Sequence, residues 1–198
     1  MGTVRAMDEA SSDTLRRHLA AVRASPHNLV SSRALGELED RHLGESVALA
    51  ELLPPGPARL VDVGSGGGFP GFVIAVLRPD LDVTLVEATG KKARFLADTA
   101  VDLGVEVDVV HARIEEAARG PLADRFDLAT ARAVAPLARL VPWVLPSLKP
   151  GGRLFAVKGA RWVEELDAAR DVIAAAGATV EVLAFTRPLV VTIARPRT

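Results

Sequence analysis

The sequence contains no cysteine in its 198 residues, and only four of its 24 basic residues are lysines. The absence of cysteine excludes disulfide bonds, metal sites built on thiolates and cysteine nucleophiles. The formal net charge is only −1, so positive charge does not cover the surface, and a nucleic-acid partner has to be met by a local patch. The other twenty basic residues are arginines. They suit bidentate phosphate contacts, although a coding bias towards arginine accounts for them more simply.

Long apolar runs are also missing. No run reaches the length that crosses a membrane, and the residues near Met1 lack the features of a signal peptide, so we expect a cytoplasmic protein. Hydrophobic residues make up 49% of the chain and charged residues 25%, a balance typical of a folded globular protein. A chain of this length forms one domain with room for a small extension.

Apolar spacing predicts two helices in the N-terminal part of the chain, at 12–24 and 33–53. The proline-rich stretch 54–58 ends the second helix and marks the only plausible internal boundary. We therefore predict a helical N-terminal extension over residues 1–57 and a separate domain over residues 58–198.

Strand-like and helix-like segments alternate through the rest of the chain. Strands are predicted at 59–63, 82–87, 105–110, 126–131, 153–158, 179–185 and 189–193. Helices are predicted near 70–78, 90–103, 134–148 and 162–176. Strands that alternate with helices of this length indicate a parallel sheet covered on both faces. The last two strands follow each other closely, which predicts an antiparallel pair at the end of the sheet.

A glycine-rich loop follows the first of these strands, in VDVGSGGGFPG at 61–71. A strand, a glycine-rich turn and a helix together bring a ligand to the carboxyl edge of a sheet and to the N-terminus of a helix. The dinucleotide fingerprint requires glycine at the first, third and sixth positions. Gly64 and Gly66 satisfy the first two, but Phe69 stands at the sixth, which disfavours an NAD-type site.

The observed spacing is instead Gly64-x-Gly66-x-Gly68 after the acidic residue Asp62, and it resembles the first motif of the class I S-adenosylmethionine-dependent methyltransferases. Missing side chains let the backbone touch a ligand and permit positive φ in a tight turn. The second predicted strand ends at Glu87, 19 residues beyond Gly68, where a carboxylate can accept hydrogen bonds from both ribose hydroxyls. We therefore assign Gly64, Gly66 and Glu87 to binding S-adenosylmethionine.

The residues around this loop resemble one family more closely, over GSGGGFPGFVIAVLRPDLDVTLVEATGKKARFL at 64–96. The family is RsmG, the bacterial 16S ribosomal RNA guanine-N7 methyltransferases formerly called glucose-inhibited division protein B. Further matching pieces are Asn28-Leu29, Arg41-His42-Leu43, Thr130-Ala131-Arg132-Ala133 and Val157-Lys158-Gly159. The resemblance spans about residues 28–195. The chain departs from it at 23–27, shortly before Asn28, where relatives carry an aromatic residue and an asparagine.

The resemblance implies a class I S-adenosylmethionine-dependent methyltransferase fold. This is an α/β fold with a mostly parallel seven-stranded sheet, an antiparallel last strand and a short helical N-terminal extension. The implied activity is methyl transfer from S-adenosylmethionine to N7 of a guanine in 16S ribosomal RNA, either free or in the small ribosomal subunit. By position it implies cofactor contacts at Gly64, Phe69, Ile114, Glu115 and Arg132. We expect a monomer without a metal ion.

Residues just past strand ends, together with residues of the extension, are candidates for the substrate side. The candidate catalytic residues are Arg132 and Lys158, because active-site residues collect beyond the carboxyl ends of parallel strands. The candidate RNA contacts are Arg33, Arg41, His42 and Arg161.

The implied chemistry needs few catalytic groups. N7 of guanine carries no proton and acts as an acceptor in duplexes, so no general base has to act before it attacks the methyl group. Alignment of nitrogen, methyl carbon and sulfur then supplies much of the rate. Because the N7 edge is buried in the deep groove of A-form RNA, the target guanine has to lie in a loop or leave its stack.

Three other interpretations stay open at this point. The same cofactor loop serves methyltransferases for another RNA, a protein or a small molecule, and assays with labelled cofactor separate these substrates. A nucleotide-binding module or NAD-dependent oxidoreductase is disfavoured by the missing sixth glycine, and a cofactor titration decides it. The third is a binding protein that keeps the fold without turnover.

Overall fold

The computed structural model describes residues 7–30, 35–184 and 188–197. The N-terminal part contains helix α1 (Glu9–Ala24), a π-helical segment (Leu38–Leu43) and helix α2 (Gly44–Leu52). The strands are β1 (Ala58–Val63), β2 (Leu81–Glu87), β3 (Asp108–His111), β4 (Phe126–Arg132), β5 (Leu148–Lys158), β6 (Thr179–Ala184) and β7 (Leu189–Ala194). The helices between them are α3 (Gly71–Leu77), α4 (Gly90–Leu103), α5 (Ile114–Ala117), α6 (Leu137–Val144), a 3₁₀ turn (Leu145–Ser147) and α7 (Trp162–Ala175). None of the described helices is long and apolar enough to cross a membrane.

The strands form one sheet in the order β3-β2-β1-β4-β5-β7-β6. Neighbours from β3 to β5 are parallel, whereas β7 is antiparallel to both β5 and β6. Within the described residues, the structure confirms the mostly parallel seven-stranded sheet and its antiparallel last strand. The place of β7 between β5 and β6 does not follow from the sequence pattern, because that pattern predicts a pair of strands but not which of them borders β5.

Strand β3 is shorter than the predicted strand at 105–110. Gly104 ends α4 in the left-handed region with a φ of 65°, and the N–H of Val105 donates back to the carbonyl of Ala100 at 2.9 Å. Val105 therefore belongs to the helix cap, although the alternation of apolar residues around it is typical of a strand.

The predicted helix at 33–53 is divided in the structure. Residues 33 and 34 lie outside the described residues, and the regular helix α2 follows the π-helical segment. Helix α1 begins at Glu9 rather than at residue 12. The reason is a cap, since the side chain of Asp8 accepts a hydrogen bond from the Ser11 N–H at 2.7 Å.

The predicted helix at 134–148 is also shorter, and its regular part is α6. Ala133 has a φ of 56°, and Pro136 has a ψ of 150°, so neither residue is helical. Because a residue that precedes proline is pushed out of the α region, the helix starts only after Pro136. The residues beyond α6 form the 3₁₀ turn, which contains Pro146.

The sheet separates two apolar clusters. Successive side chains of a strand point to opposite faces, so Leu60 and Val61 of β1 belong to different clusters. Helices α5, α6 and α7 cover the face of Val61, and helices α2, α3 and α4 cover the face of Leu60. Both faces of the sheet are thereby shielded, and ligand access is left to its edges.

A third apolar cluster joins the N-terminal extension to the rest of the chain. Leu15, Leu19 and Val22 of α1 pack together with Phe69 of the glycine loop and Val73 of α3. Each such side chain contributes roughly 1.5–3 kcal/mol when it is fully buried, so the hydrophobic effect holds α1 against the loop. The division of the chain at residue 57 stays a prediction.

Arg78, directly after α3, ties the end of α2 to the sheet. Its guanidinium donates to the carbonyl of Ala50 at 3.0 Å, of Leu53 at 3.4 Å and of Pro54 at 2.7 Å. It also forms a two-point pair with the carboxylate of Asp80 at 2.8 and 2.7 Å. Hydrogen bonding to Arg78 lowers the pKa of Asp80. One side chain therefore satisfies the carbonyls where α2 ends.

We predict that Arg78→Ala lowers the free energy of unfolding by about 2–4 kcal/mol, because it leaves several part-buried acceptors without a partner. Arg170→Ala is the matched control, since this arginine also pairs with an aspartate but its side chain is 75% exposed, against 17% for Arg78. Its effect should stay within about 0.5 kcal/mol. Urea unfolding followed by circular dichroism measures both, and equal effects would contradict the role given to Arg78.

Candidate functional site

The glycine loop lies where the central strands end side by side. Val63 at the end of β1 pairs with Val86 of β2 on one side and with Ala131 of β4 on the other. The residues that follow or end these strands therefore meet at the carboxyl edge of the sheet, where ligands bind in open α/β folds. Glu87 and Arg132 are the last residues of their strands.

The loop needs glycine for its backbone conformation. Gly64, Gly66 and Gly68 have φ values of 67°, 57° and 95°, which other residues rarely adopt. The N–H groups of Gly64 and Ser65 both donate to the carbonyl of Val86, at 2.8 and 3.2 Å. The loop therefore turns back over the end of β2.

Protein atoms occupy much of the space that the glycines leave. A Cβ on Gly64 would lie 2.8 Å from a methyl group of Val134, and one on Gly68 would lie 2.8 Å from Nε2 of His18 in α1. Part of the requirement for glycine therefore comes from the close packing of the extension and of the segment after β4.

A buried carboxylate supports the loop from below. Asp62 accepts a hydrogen bond from the Gly71 N–H at 3.1 Å and another from the Thr130 hydroxyl at 2.8 Å. It thereby connects β1 with the start of α3 and with β4. Burial raises the pKa of Asp62 to about 6, and the hydrogen bonds from Thr130, Ser65 and Gly71 act in the opposite direction.

Glu87 is joined directly to the loop. One carboxylate oxygen accepts from the Gly66 N–H at 3.0 Å, and the other accepts from the Thr89 N–H at 2.8 Å. Each oxygen of a carboxylate has two acceptor positions, so both retain capacity after these bonds are made. The donor and acceptor chemistry therefore suits a ligand with two neighbouring hydroxyl groups.

Ile114 and Glu115 begin α5, shortly after β3, the strand that neighbours β2. The register pairs His111 of β3 with Glu87, and the N–H of Ala112 donates to the Glu87 carbonyl at 3.2 Å. Ile114 is buried in the core under α6. Glu115 is partly exposed, and its carboxylate lies 3.7 Å from the guanidinium of Arg113.

Arg132 is turned towards the N-terminal extension. Its guanidinium lies 3.4 Å from the carboxylate of Glu45 and donates to Nδ1 of His42. It also lies 5.8 Å from the ring centroid of Phe69. The side chain is only 12% exposed, and burial lowers the pKa of Arg132.

Burial, together with the charges of Arg132 and Arg41, lowers the pKa of His42 to about 4. A neutral ring is what allows Nδ1 to accept from Arg132. Phe69 is also buried, and its ring makes an edge contact with the ring of His42 at a centroid distance of 5.5 Å.

Two of the other predicted RNA contacts, Arg41 and Arg161, lie within the described residues, and both are exposed. Arg41 is exposed and pairs with Glu37 at 3.0 Å and with Glu45 at 3.6 Å. Arg161 is exposed and directly precedes α7. Arg33 lies outside the described residues.

Lys158 ends β5 in a nearly buried ion pair. Its side chain is 7% exposed, and Nζ lies 2.9 Å from the carboxylate of Glu165 in α7. Nζ also donates to the carbonyl of Ala135 at 2.8 Å. Glu165 accepts in turn from the Leu137 N–H at 3.3 Å, so the lysine and glutamate together hold the segment that connects β4 to α6.

His18 is part of the site's surroundings but was not among the candidates from the sequence. It is buried on α1, and its Nε2 lies 2.8 Å from the carbonyl oxygen of Gly67. The sequence does place His18 on the apolar face of α1, together with Leu15, Leu19 and Val22. That pattern predicts a buried histidine, but it does not predict which part of the chain packs against the ring. Among the described residues, no group of three or more histidine, aspartate or glutamate side chains could hold a metal ion.

Comparison with known proteins places this architecture in a family. Residues 15–190 match the GidB family, described as rRNA small subunit methyltransferase G. The chain is 44% identical over 153 residues to the ribosomal RNA small subunit methyltransferase G of Mycolicibacterium paratuberculosis, a match that covers 76% of this chain and 60% of that protein. It is 49% identical over 145 residues to the protein of the same name from Salinispora tropica, covering 70% of this chain and 59% of that protein. The chain thus spans about three fifths of the length of these curated relatives.

A solved structure supports the fold. A protein of Methanococcus maripaludis described as an S-adenosyl-L-methionine-dependent methyltransferase superposes with a TM-score of 0.68 at 12% identity, over 100% of this chain and 99% of that one. The predicted class I methyltransferase fold is therefore confirmed. With its match to residues 15–190 and its identity to these relatives, the chain belongs to the rRNA small subunit methyltransferase G family.

Proposed function

We propose that this protein transfers a methyl group from S-adenosylmethionine to N7 of a guanine in 16S ribosomal RNA of the small ribosomal subunit. The observation that carries the proposal is the hydrogen bond between the Gly66 N–H and the Glu87 carboxylate. It joins the glycine loop to an acidic residue at the carboxyl edge of a parallel sheet, in a chain of an rRNA methyltransferase family. We further propose that the protein acts in the cytoplasm as a monomer, on free RNA or on the assembled subunit.

The residues at this edge suit S-adenosylmethionine. The free acceptor positions of Glu87 match the two ribose hydroxyls, and the backbone of Gly64 and Gly66 lies beside them. Ile114 and Glu115 follow closely after β3, whose last residue, His111, pairs with Glu87, and we assign them to the adenine end of the cofactor. When bound, S-adenosylmethionine supplies a methyl group on a positively charged sulfur.

The protein's part in the reaction is alignment rather than proton transfer. N7 attacks with its own lone pair, so the side chains have to orient the guanine and keep water out. Arg132 stays a candidate catalytic residue because it ends β4 at this edge, with its guanidinium over the ring of Phe69. Lys158, the other candidate, ends β5, and its bonds to Glu165 and to the Ala135 carbonyl suit a positioning role for the segment after β4.

Contacts with RNA are proposed for a few arginines. Arg41 and Arg161 are exposed, and a guanidinium can bind a phosphate at two points. His42 faces Arg132 instead, so its contribution to RNA binding would act through that arginine. Arg33 is the remaining candidate, on sequence grounds alone.

The proposal predicts one specific methylation. Small ribosomal subunits that lack the modification, and deproteinised 16S RNA, are each incubated with labelled S-adenosylmethionine, and 7-methylguanosine is mapped by chain cleavage. We expect cleavage at a single loop guanine, and the preferred substrate identifies what is recognised. Binding of cofactor with no transfer to either substrate would contradict the RNA assignment and favour a protein or small-molecule acceptor.

A substitution at Glu87 tests the cofactor assignment. In Glu87→Gln the new amide puts an N–H group against the N–H of Gly66 or of Thr89, and one charge-assisted acceptor for the ribose is lost. We expect the Kd for S-adenosylmethionine, measured by calorimetry, to rise about 10–100-fold.

Glu106→Gln removes the same charge from an exposed residue before β3 and should leave the Kd unchanged. Thermal unfolding of all three proteins checks that they are folded. An unchanged Kd in Glu87→Gln would remove this residue from the cofactor site.

A further inference from the structure

His18 makes an unusual set of contacts for a residue of an apolar helix face. The side chain is 1% exposed. Its ring stacks on Phe72 with centroids 4.4 Å apart and lies tilted by 38° against Phe69 with centroids 5.0 Å apart. Nε2 lies 2.8 Å from the carbonyl oxygen of Gly67. The other ring nitrogen, Nδ1, is buried and has no hydrogen-bond partner among the residues that the structure describes.

These contacts define the state of the ring. A carbonyl oxygen only accepts hydrogen bonds, so Nε2 carries the proton and donates it to Gly67. Nδ1 is then a bare acceptor in an apolar environment, which destabilises the fold unless the Gly67 bond offsets it. Burial lowers the pKa of His18 to about 4, so the ring is neutral at physiological pH. An aliphatic side chain would fill this space without an unpaired nitrogen, which indicates that the bond to the loop is the reason for a histidine.

The imidazole ring of His18 also lies against the next residue of the loop, Gly68. A Cβ on Gly68 would lie 2.8 Å from Nε2 of His18 and 2.9 Å from Cβ of Phe72. The φ of Gly68 is 95°, and its N–H donates to the carbonyl of Ser65 at 2.7 Å. The imidazole therefore lies directly against the loop on the side of α1, while Glu87 holds Gly66 from the side of β2.

We propose that His18 is a positioning residue, whose neutral imidazole holds the Gly67–Gly68 peptide in the conformation that the cofactor loop needs, so that helix α1 sets the affinity for S-adenosylmethionine. This inference rests on the proposed function, since it concerns the same site. His18 acts through the loop backbone and has no part in methyl transfer itself.

Two variants separate the hydrogen bond from the packing. His18→Phe keeps a ring between the two phenylalanines but removes the donor. His18→Gln keeps an N–H donor close to the position of Nε2. Leu15→Val is the matched control, because it weakens the same buried face of α1 one turn away without touching the Gly67 bond.

Binding of S-adenosylmethionine and steady-state methylation are measured for the full chain. We expect His18→Phe to raise Kd and KM for the cofactor about tenfold, with kcat within about twofold, and His18→Gln to restore most of the affinity. In His18→Phe the Gly67 carbonyl loses its donor, but the unpaired buried nitrogen is removed as well, so the melting temperature should stay within a few degrees of that of Leu15→Val. A cofactor affinity in His18→Phe equal to that of the wild type would overturn the proposal.

A second measurement does not depend on the cofactor. Amide hydrogen exchange of Gly68 reports the bond to Ser65, and it should accelerate about tenfold in His18→Phe but not in His18→Gln or Leu15→Val. If the wild type bound no S-adenosylmethionine, the proposed function would fail, and this exchange pattern would still decide whether His18 positions the loop. Unchanged exchange in all three variants would refute that role.

Discussion

The buried carboxylate of Asp62 is the interaction on which the rest of the site depends. It precedes the glycine loop, and it accepts the N–H of Gly71 at the loop's far end and the hydroxyl of Thr130 in the neighbouring strand. The two ends of the loop are thereby held together, with β4 attached to both. No larger residue fits at Gly71, where a Cβ would lie 2.5 Å from the Cβ of Asp62. Loop, helix and sheet therefore have one relative placement, and Glu87 can meet the loop backbone.

The N-terminal extension is part of this arrangement rather than an appendage to it. His18 bonds to the loop from α1, and Glu45 and His42 bind the guanidinium of Arg132 from the other side. Both sets of contacts converge on Phe69, which lies between the two histidines. Because one fold hosts many activities, it is these contacts around the loop, together with the family membership, that bear on what the protein does.

The sequence predicted most of the fold because its signals are local. Alternation of apolar residues located the strands, and the loop motif with an acid at the end of the second strand predicted the edge of the sheet at which a ligand binds, since parallel strands end together. The predictions missed where local signals conflict. Val105 continues an alternating run, yet Gly104 ends a helix and takes Val105 into its cap. A single chain segment cannot satisfy both patterns, and the hydrogen bonds of the cap decided the outcome.

By itself the sequence determined the alternation of strands and helices, the glycine-rich loop after β1 and the acidic residue Glu87 at the end of β2. Only the tertiary structure decided which side chains meet the loop from outside. His18 and Gly67 are 49 residues apart, and Arg132 and His42 are 90 apart. The sequence around Lys158 does not distinguish a free lysine at the end of a strand from a paired one. Lys158 forms an ion pair because α7 places Glu165 beside the end of β5. Such pairs depend on how helices and strands pack together. The periodicity of apolar residues predicts which face of an element is buried, but not which other element covers that face.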